Sequence, residues 1–193
     1  MADELSIALK EWAAICRALT LGRQSLIVRK GGIAETGDTF RLEATRFLLY
    51  PTFVHQQDTG LQPAAAEILG AVKADQPRPG RVRFEAWAEV TGVYQIREAL
   101  PAHLIAHLHL WSDEAINKRF HYRQPGLNVL AVRVYRLPAA VEIDEDDDYR
   151  GCKSWVSLKA AVSMVDSTPV LNDAHFREVI EQLDTLLRPI GRA

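Results

Sequence analysis

Two cations beside paired glycines could bind phosphate near the start of the chain. Arg29 and Lys30 end a predicted strand and are followed directly by Gly31 and Gly32. Glycines let backbone N–H groups approach an anion, and the two cations would stabilise it. The pattern is not a Walker loop, which needs Gly-x-x-x-x-Gly-Lys-[Ser/Thr], and a plain hairpin turn also accounts for the glycines. The sequence therefore predicts either a phosphate site or a turn.

Two further segments combine cations with aromatic rings. Arg81 and Arg83 lie on the polar face of a predicted strand that also carries Trp87. A predicted helix presents a polar face formed by Lys118, His121 and Tyr122, and joined by Arg123. Cations mixed with aromatics are typical of surfaces that bind single strands or phosphates. Trp87 would alternatively cover the second face of the sheet, and the helix face would be merely solvated.

Acid–base chemistry is the alternative to binding. A histidine beside a carboxylate would serve as general base in a small phosphoester or nucleotide hydrolase, with Arg29 and Lys30 holding the phosphate. The candidate catalytic residues are His55, His109, Glu35 and Glu43. A cleft that joins His55, Glu35 and Lys30 would favour this enzyme, and a flat basic face would favour a binding protein.

No metal or other cofactor is expected. His103 and His107 have the i, i+4 spacing of ligands on one helix face but lack the glutamate of His-Glu-x-x-His, which leaves half a site. The acidic run 144–148 is contiguous, whereas a calcium loop alternates its oxygen ligands and includes a glycine. We expect a solvated loop there.

Composition narrows the class of protein. The 193 residues are 48% hydrophobic with a net charge of -2, and the two cysteines are too few for a disulfide framework. No apolar run is long enough to cross a membrane, and the N-terminus is acidic, unlike that of a signal peptide. We expect a cytoplasmic protein with reduced cysteines. Residues 76–140 carry nine Lys/Arg against five Asp/Glu, so a polyanion site is expected in the middle third.

The elements that must position these residues follow from hydrophobic periodicity. Helices are predicted over 4–20, after Pro63, over 113–122 from an N-cap at Ser112, and over 173–187 from a cap at Asn172 or Asp173. Strands are predicted over 25–29, 40–45, 47–50, 81–90, 127–137 and 155–158. The fold class is α+β: a mixed or mainly antiparallel sheet flanked by helices. Residues 1–193 are expected to form one compact domain, with a possible boundary between two lobes near 75–80 or 101.

Several segments together carry a family resemblance. They are residues 8–13 (ALKEWA), 28–35 (VRKGGIAE), 47–52 (FLLYPT) with 55–56 (HQ), 109–111 (HLW), 133–137 (RVYRL) and 151–156 (GCKSWV). In this order and spacing they resemble the bacterial family of domain of unknown function 1802. The resemblance implies a part in restriction–modification or another DNA-handling system, because such domains are found joined to Mrr-type restriction endonuclease domains. It supplies no catalytic residues.

These observations favour a binding module over an enzyme. We expect the protein to bind nucleic acid or a nuclease partner protein through the cationic segments above. We expect it not to bind a membrane. A homodimer that binds no ligand is the remaining alternative.

Overall fold

Seven strands form one sheet in the part of the chain that the structure, a computed structural model, describes: residues 3–30, 41–53 and 58–187. They are β1 (Glu4–Trp12), β2 (Leu26–Arg29), β3 (Arg46–Thr52), β4 (Arg81–Ile96), β5 (Leu127–Asp144), β6 (Trp155–Ser163) and β7 (Thr168–Pro169). Six lie in the order β2-β5-β4-β3-β1-β6, and β7 pairs with β5. β1 and β3 are parallel, and the other described pairs are antiparallel, so the sheet is mixed.

Five α-helices complete the described fold. They are α1 (Ala13–Thr20), α2 (Ala66–Ala74), α3 (Ala99–Leu104), α4 (Asp113–His121) and α5 (Asp173–Leu187). Strands and helices share one compact domain, which confirms the predicted α+β class. Residues 75–80 connect α2 to β4, and residue 101 lies inside α3. No helix of the described ranges is both long and apolar enough to span a membrane.

The sheet buries apolar side chains on both of its faces. The larger cluster contains Leu9 and Phe47 from the strands and is covered by helices, which contribute residues such as Ile15 and Leu183. The smaller cluster lies on the other face. Successive residues of β1 show the alternation, because Ala8 belongs to the smaller cluster and Leu9 to the larger. Central strands are therefore apolar on both faces.

The predicted helix over 4–20 is correct only for its second half. Residues 4–12 form β1, and only Ala13–Thr20 are helical. β1 lies between β3 and β6, where its backbone groups pair on both edges. Leu5, Leu9 and Trp12 have helical spacing, but this pairing with distant strands decides the local conformation.

The predicted strand over 40–45 is also absent from the described part. Residues 41–44 are irregular, β3 begins at Arg46, and residue 40 lies outside the described ranges. β2 pairs instead with β5, where Val28 lies opposite Val129. The strand that precedes the paired glycines therefore has a distant partner rather than a hairpin neighbour.

A bulge reverses the faces of β4 part-way along the strand. The register shifts between Phe84 and Ala86. Phe84 and Trp87 consequently point to the smaller cluster, while Ala86 and Ala88 point to the larger one. The prediction that Trp87 shares the polar face of Arg81 and Arg83 is wrong for this reason.

The two later helices begin where capping residues were expected. The Ser112 hydroxyl accepts a hydrogen bond from the N–H of Ala115 at 3.2 Å, and the Asn172 side chain accepts one from the N–H of His175 at 2.9 Å. α4 and α5 therefore start at Asp113 and Asp173, as the sequence predicts.

Candidate functional site

A groove with a volume of about 680 Å³ lies at the carboxyl ends of the parallel strands β1 and β3. Because the two strands are parallel, their last residues, Trp12 and Thr52, lie side by side. Helix α1 starts directly after β1. The start of β4 and the segment after β5 bring Arg81 and Glu145 to the same place. The groove is thus built from segments far apart in sequence.

The walls of this groove are strongly basic. Seven cations line it: Lys10, Arg29, Arg78, Arg81, Arg83, Arg119 and Arg150. Two carboxylates, Glu11 and Glu145, line it as well. The excess of five positive charges contrasts with a net charge of -2 for the chain. The excess belongs to the side chains that line the groove, because Arg81, Arg83 and Arg150 also pair with carboxylates just outside it.

A buried ion pair forms part of the groove floor, which we define as Glu11, Arg29 and Arg119. The Glu11 side chain is 2% exposed and lies 3.3 Å from an Arg29 nitrogen. The N–H of Trp12 donates to the other carboxylate oxygen at 2.8 Å. Arg29 also donates to the carbonyl of Lys10 and to the hydroxyl of Ser154. This network fixes the end of β2 against the end of β1.

Arg119 reaches the floor from α4. Its guanidinium lies 3.5 Å from the ring centroid of Trp111 and donates to the carbonyl of Val28 at 3.3 Å. Burial lowers the pKa of Arg119 to about 10; the charge of Glu11 opposes this shift and that of Arg29 adds to it. The side chain is therefore still a cation at neutral pH.

Four arginines form the rim of the groove: Arg78, Arg81, Arg83 and Arg150. Arg81 pairs with Asp144 at 2.6 Å, Arg83 with Glu85 at 3.2 Å, and Arg150 with Asp147 at 2.8 Å. The paired arginine side chains are 37–58% exposed. Exposed pairs are weak, so a phosphate could replace these carboxylates at small cost.

Apolar and aromatic side chains lie between the cations. Trp12 and Phe53 line the groove and are partly buried, and Tyr50 lines it as a buried ring. The Tyr50 hydroxyl donates to Glu145 at 3.2 Å, and burial raises the pKa of the phenol. The groove thus offers ring surface next to cationic side chains, a combination that single-strand sites also have.

A family profile described as "Domain of unknown function (DUF1802)" matches residues 8–182. The chain belongs to this family. The predicted membership is confirmed, whereas the association with restriction–modification stays a prediction. No curated protein matches the chain in sequence.

Solved structures of ASCH from Zymomonas mobilis resemble this DUF1802 domain distantly. The ASCH protein is 12% identical with a TM-score of 0.44, covering 94% of each chain. One of its mutants is 12% identical with a TM-score of 0.46, covering 94% of this chain and 98% of that chain. These likenesses are too weak to assign a function.

Four segments that carry the family resemblance meet at the groove. They contribute Lys10 to Trp12, Arg29, Tyr50 to Thr52, and Gly151 with Cys152. Nothing in their sequence separation predicts this meeting, which the parallel pairing of β1 with β3 produces. Lys10, Glu11, Arg119 and Arg150 were not among the predicted site residues, although the resemblance segment 8–13 contains the first two.

Lys30 has a structural role that the sequence does not reveal. Its ammonium group donates to the backbone carbonyls of Phe120 at 3.2 Å and Gly126 at 2.9 Å, and also to that of Gln124. The Phe120 carbonyl lies in the last turn of α4 and the other two follow the helix, and a cation at this end also complements the helix dipole. The described contacts of Lys30 are therefore structural, and its part in binding phosphate stays a prediction.

Replacing Lys30 by methionine should lower the free energy of unfolding by about 1–3 kcal/mol, because three backbone carbonyls lose a charged donor. Chemical denaturation measures this change. Lys118→Met is the matched control, since Lys118 is an exposed residue of α4, the helix whose end Lys30 contacts. Equal stability of the two variants would contradict the capping role.

Trp87 does not offer an exposed stacking surface. It is 6% exposed, and its ring stacks on that of Tyr135 with centroids 4.1 Å apart. The guanidinium of Arg46 lies 4.8 Å from the centroid of the Trp87 ring. The β4 bulge turns this side chain into the smaller core cluster, so Trp87 is removed from the predicted interface.

The predicted polar face of α4 is exposed but does not line the groove. Lys118, His121, Tyr122 and Arg123 all lie on the surface, and Arg123 stacks near the Tyr122 ring. Of the predicted cations, Arg29, Arg81 and Arg83 line the groove. Gly31 and Gly32 lie outside the described residues. The predicted interface therefore divides into a groove and a separate helix face.

The residues proposed for hydrolysis do not form a described catalytic site. His55 and Glu35 lie outside the described residues, and Glu43 is exposed. His109 is 2% exposed, and burial lowers its pKa to about 4. No histidine of the described ranges lines the groove.

The suggested metal ligands are likewise dispersed. His103 lies in α3, whereas His107 follows it in a separate 3-10 turn. No group of three or more potential metal ligands occurs in the described part of the chain. The acidic run is only partly exposed and is ion-paired rather than merely solvated, since Asp146 binds Lys159 and Asp147 binds Arg150.

Proposed function

We propose that this DUF1802 domain is a nucleic-acid-binding module whose groove holds a single strand. The observation that carries the proposal is the excess of five positive charges among the side chains that line the groove, on a chain of net charge -2. A local concentration of cations attracts polyanions even when the whole protein is acidic, because salt screens charges more than about 8 Å away.

The dimensions and composition of the groove favour a single strand over a duplex. Its volume of about 680 Å³ lies in the range of pockets that enclose small ligands, and a duplex would not enter it. Phe53 and Trp12 offer ring surface on which a base would stack, while the rim arginines would contact phosphates. The partner is therefore proposed to be an unpaired segment of DNA or RNA.

Removing rim charges tests the proposal. The triple variant Arg78→Ala, Arg83→Ala, Arg150→Ala should bind single-stranded oligonucleotides at least about tenfold more weakly. The slope of log affinity against log salt should flatten by up to about 2, since each lost phosphate contact of a single strand removes about 0.7. Fluorescence anisotropy with single- and double-stranded DNA and RNA over a salt series measures both effects.

A matched variant removes the same charge elsewhere. Arg23, Arg97 and Arg177 are exposed and do not line the groove. Their triple replacement by alanine should leave the affinity and the slope near wild type. Lys118→Ala with Arg123→Ala tests the α4 face separately. Equal losses in the groove variant and the matched variant would contradict the proposal.

The same titration with magnesium examines the hydrolase alternative. We expect the labelled strand to remain intact, because no described histidine lines the groove. Cleavage that depends on His55 or Glu35 would replace the binding proposal by the enzyme.

A further inference from the structure

The groove has two layers of cations that differ in burial. The rim arginines have exposed side chains, and Arg81 and Arg83 are 37% and 40% exposed. On the floor, the Arg29 side chain is 16% exposed and that of Glu11 is 2% exposed. Arg119 is also partly buried there. Charges on the floor are therefore farther from solvent than those on the rim, and leaving one of them without a counter-ion costs more.

Of the two arginines on the floor, Arg119 is the one without an ion pair to a described carboxylate. Glu11 forms its ion pair with Arg29. Arg119 pairs with no carboxylate of the described residues; its described contacts are the Val28 carbonyl and the rings of Trp111 and Trp12. Burial lowers the pKa of Arg119, the charge of Glu11 raises it and that of Arg29 lowers it, so one carboxylate acts on both arginines of the floor. A second anion on the floor would have Arg119 as its ion-pair partner.

Stacking also orients the Arg119 guanidinium. It lies 3.5 Å from the centroid of the Trp111 ring, which fixes the position of a planar group with five donors. One of those donors binds the Val28 carbonyl. A positioned guanidinium binds a phosphate through two parallel hydrogen bonds, so the floor supplies geometry as well as charge.

The floor closes the groove on the side of the protein core. Trp111 and Val28, which contact Arg119, are both 0% exposed. A strand that pointed from the rim toward Arg119 would therefore meet buried side chains behind the guanidinium. An end of a strand, which needs no path beyond this point, fits this arrangement.

From the charge, the orientation and the closed floor, we infer that Arg119 and Arg29 bind the terminal phosphate monoester of the strand, an inference that rests on the proposed function. A monoester carries about -1.5 to -2 charges at neutral pH, whereas each internal phosphodiester carries one. The extra charge would pair with Arg119, the floor arginine that has no ion pair to a described carboxylate. The groove would thus select phosphorylated ends over hydroxyl ends.

The test compares the affinities of oligonucleotides that have one sequence and differ in their terminal groups. An oligonucleotide of about eight nucleotides is prepared with a 5′-phosphate, with a 3′-phosphate and with hydroxyl ends. One phosphorylated form should bind roughly 10- to 100-fold more tightly than the hydroxyl form, as charge-assisted hydrogen bonds allow. A hydroxyl-ended oligonucleotide one nucleotide longer adds charge without a monoester, and it should not reproduce this gain.

Variants of the two layers separate their roles. Arg119→Met keeps an apolar side chain against Trp111 and should remove most of the preference for phosphate, with little change for the hydroxyl form. Arg78→Ala on the rim should weaken both forms by a similar factor and leave their ratio unchanged. Thermal melting shows whether Arg119→Met is folded. The comparison of phosphorylated and hydroxyl ends uses wild-type protein, so it does not depend on the folding of any variant.

The outcomes distinguish this inference from the proposed function. Equal affinity of wild-type protein for all three ends would overturn terminal recognition and leave single-strand binding intact. Absence of binding to any oligonucleotide would overturn the proposed function. In that case, binding of a nucleoside monophosphate that Arg119→Met abolishes would still support the phosphate floor, and no such binding would overturn it.

Discussion

Replacing Glu11 by alanine is expected to lower the free energy of unfolding by about 3–5 kcal/mol, the range for breaking a buried ion pair on one side. The carboxylate is 2% exposed and binds both Arg29 and the N–H of Trp12. Its loss would remove the carboxylate that pairs with Arg29 and whose charge also stabilises the Arg119 cation. Arg29 would also lose one of the contacts that hold the end of β2 against β1.

Chemical denaturation of three variants measures this effect. Glu11→Gln keeps the size and an acceptor oxygen but not the charge, and its stability should lie between that of Glu11→Ala and wild type. Asp144→Asn breaks the ion pair of Asp144 with Arg81. Because the Asp144 side chain is 88% exposed, this variant should change stability little. If Glu11→Ala were as stable as Asp144→Asn, the floor would not depend on its carboxylate.

The elements that the sequence predicts well are those with local determinants. α5 has an apolar face containing Phe176 and Leu183 and a capping side chain at Asn172, so both its type and its start are correct. β1 is different, because Leu5, Leu9 and Trp12 satisfy helical spacing. Its strand conformation depends on β3 and β6, which lie about 40 and 150 residues away along the chain.

The same distinction applies to the site. Arg29, Arg81 and Arg83 were predicted from local charge and do line the groove. Arg119 and Arg150 reach it through the packing of α4 and of the segment after β5, for which single-sequence periodicity offers no signal. The β4 bulge is equally invisible in the pattern of alternating residues, and it alone moves Trp87 from the expected surface into the core.

Acid should destabilise the protein through His109, in addition to the usual effect on carboxylates. The imidazole is 2% exposed, and its Nδ1 accepts a hydrogen bond from the N–H of Trp111 at 3.2 Å. Burial is the largest cause that lowers its pKa to about 4; the charges of Arg119 and His107 add to the shift, while its own backbone hydrogen bond and Asp113 oppose it. The folded state therefore holds His109 neutral at a pH where an unfolded histidine takes up a proton.

The direction and size of the effect follow from these two pKa values. Below about pH 6.5 the unfolded chain binds a proton at residue 109 that the folded chain binds only near pH 4, so stability falls as the pH drops through this window. The full loss is about 3 kcal/mol. Urea denaturation at a series of pH values from about 7 to 4 measures it.

Two histidine variants isolate the contribution of residue 109. His109→Asn retains an acceptor for the Trp111 N–H but does not titrate, so its stability should depend less steeply on pH between about 6.5 and 4. It will be less stable than wild type at pH 7 because the smaller side chain leaves a cavity. His103→Asn, at an exposed position of α3, should keep the wild-type slope. If His109→Asn and wild type lost stability in parallel, His109 would be excluded as the source, and the acid sensitivity would belong to the carboxylates that pair with Arg133 and Lys159.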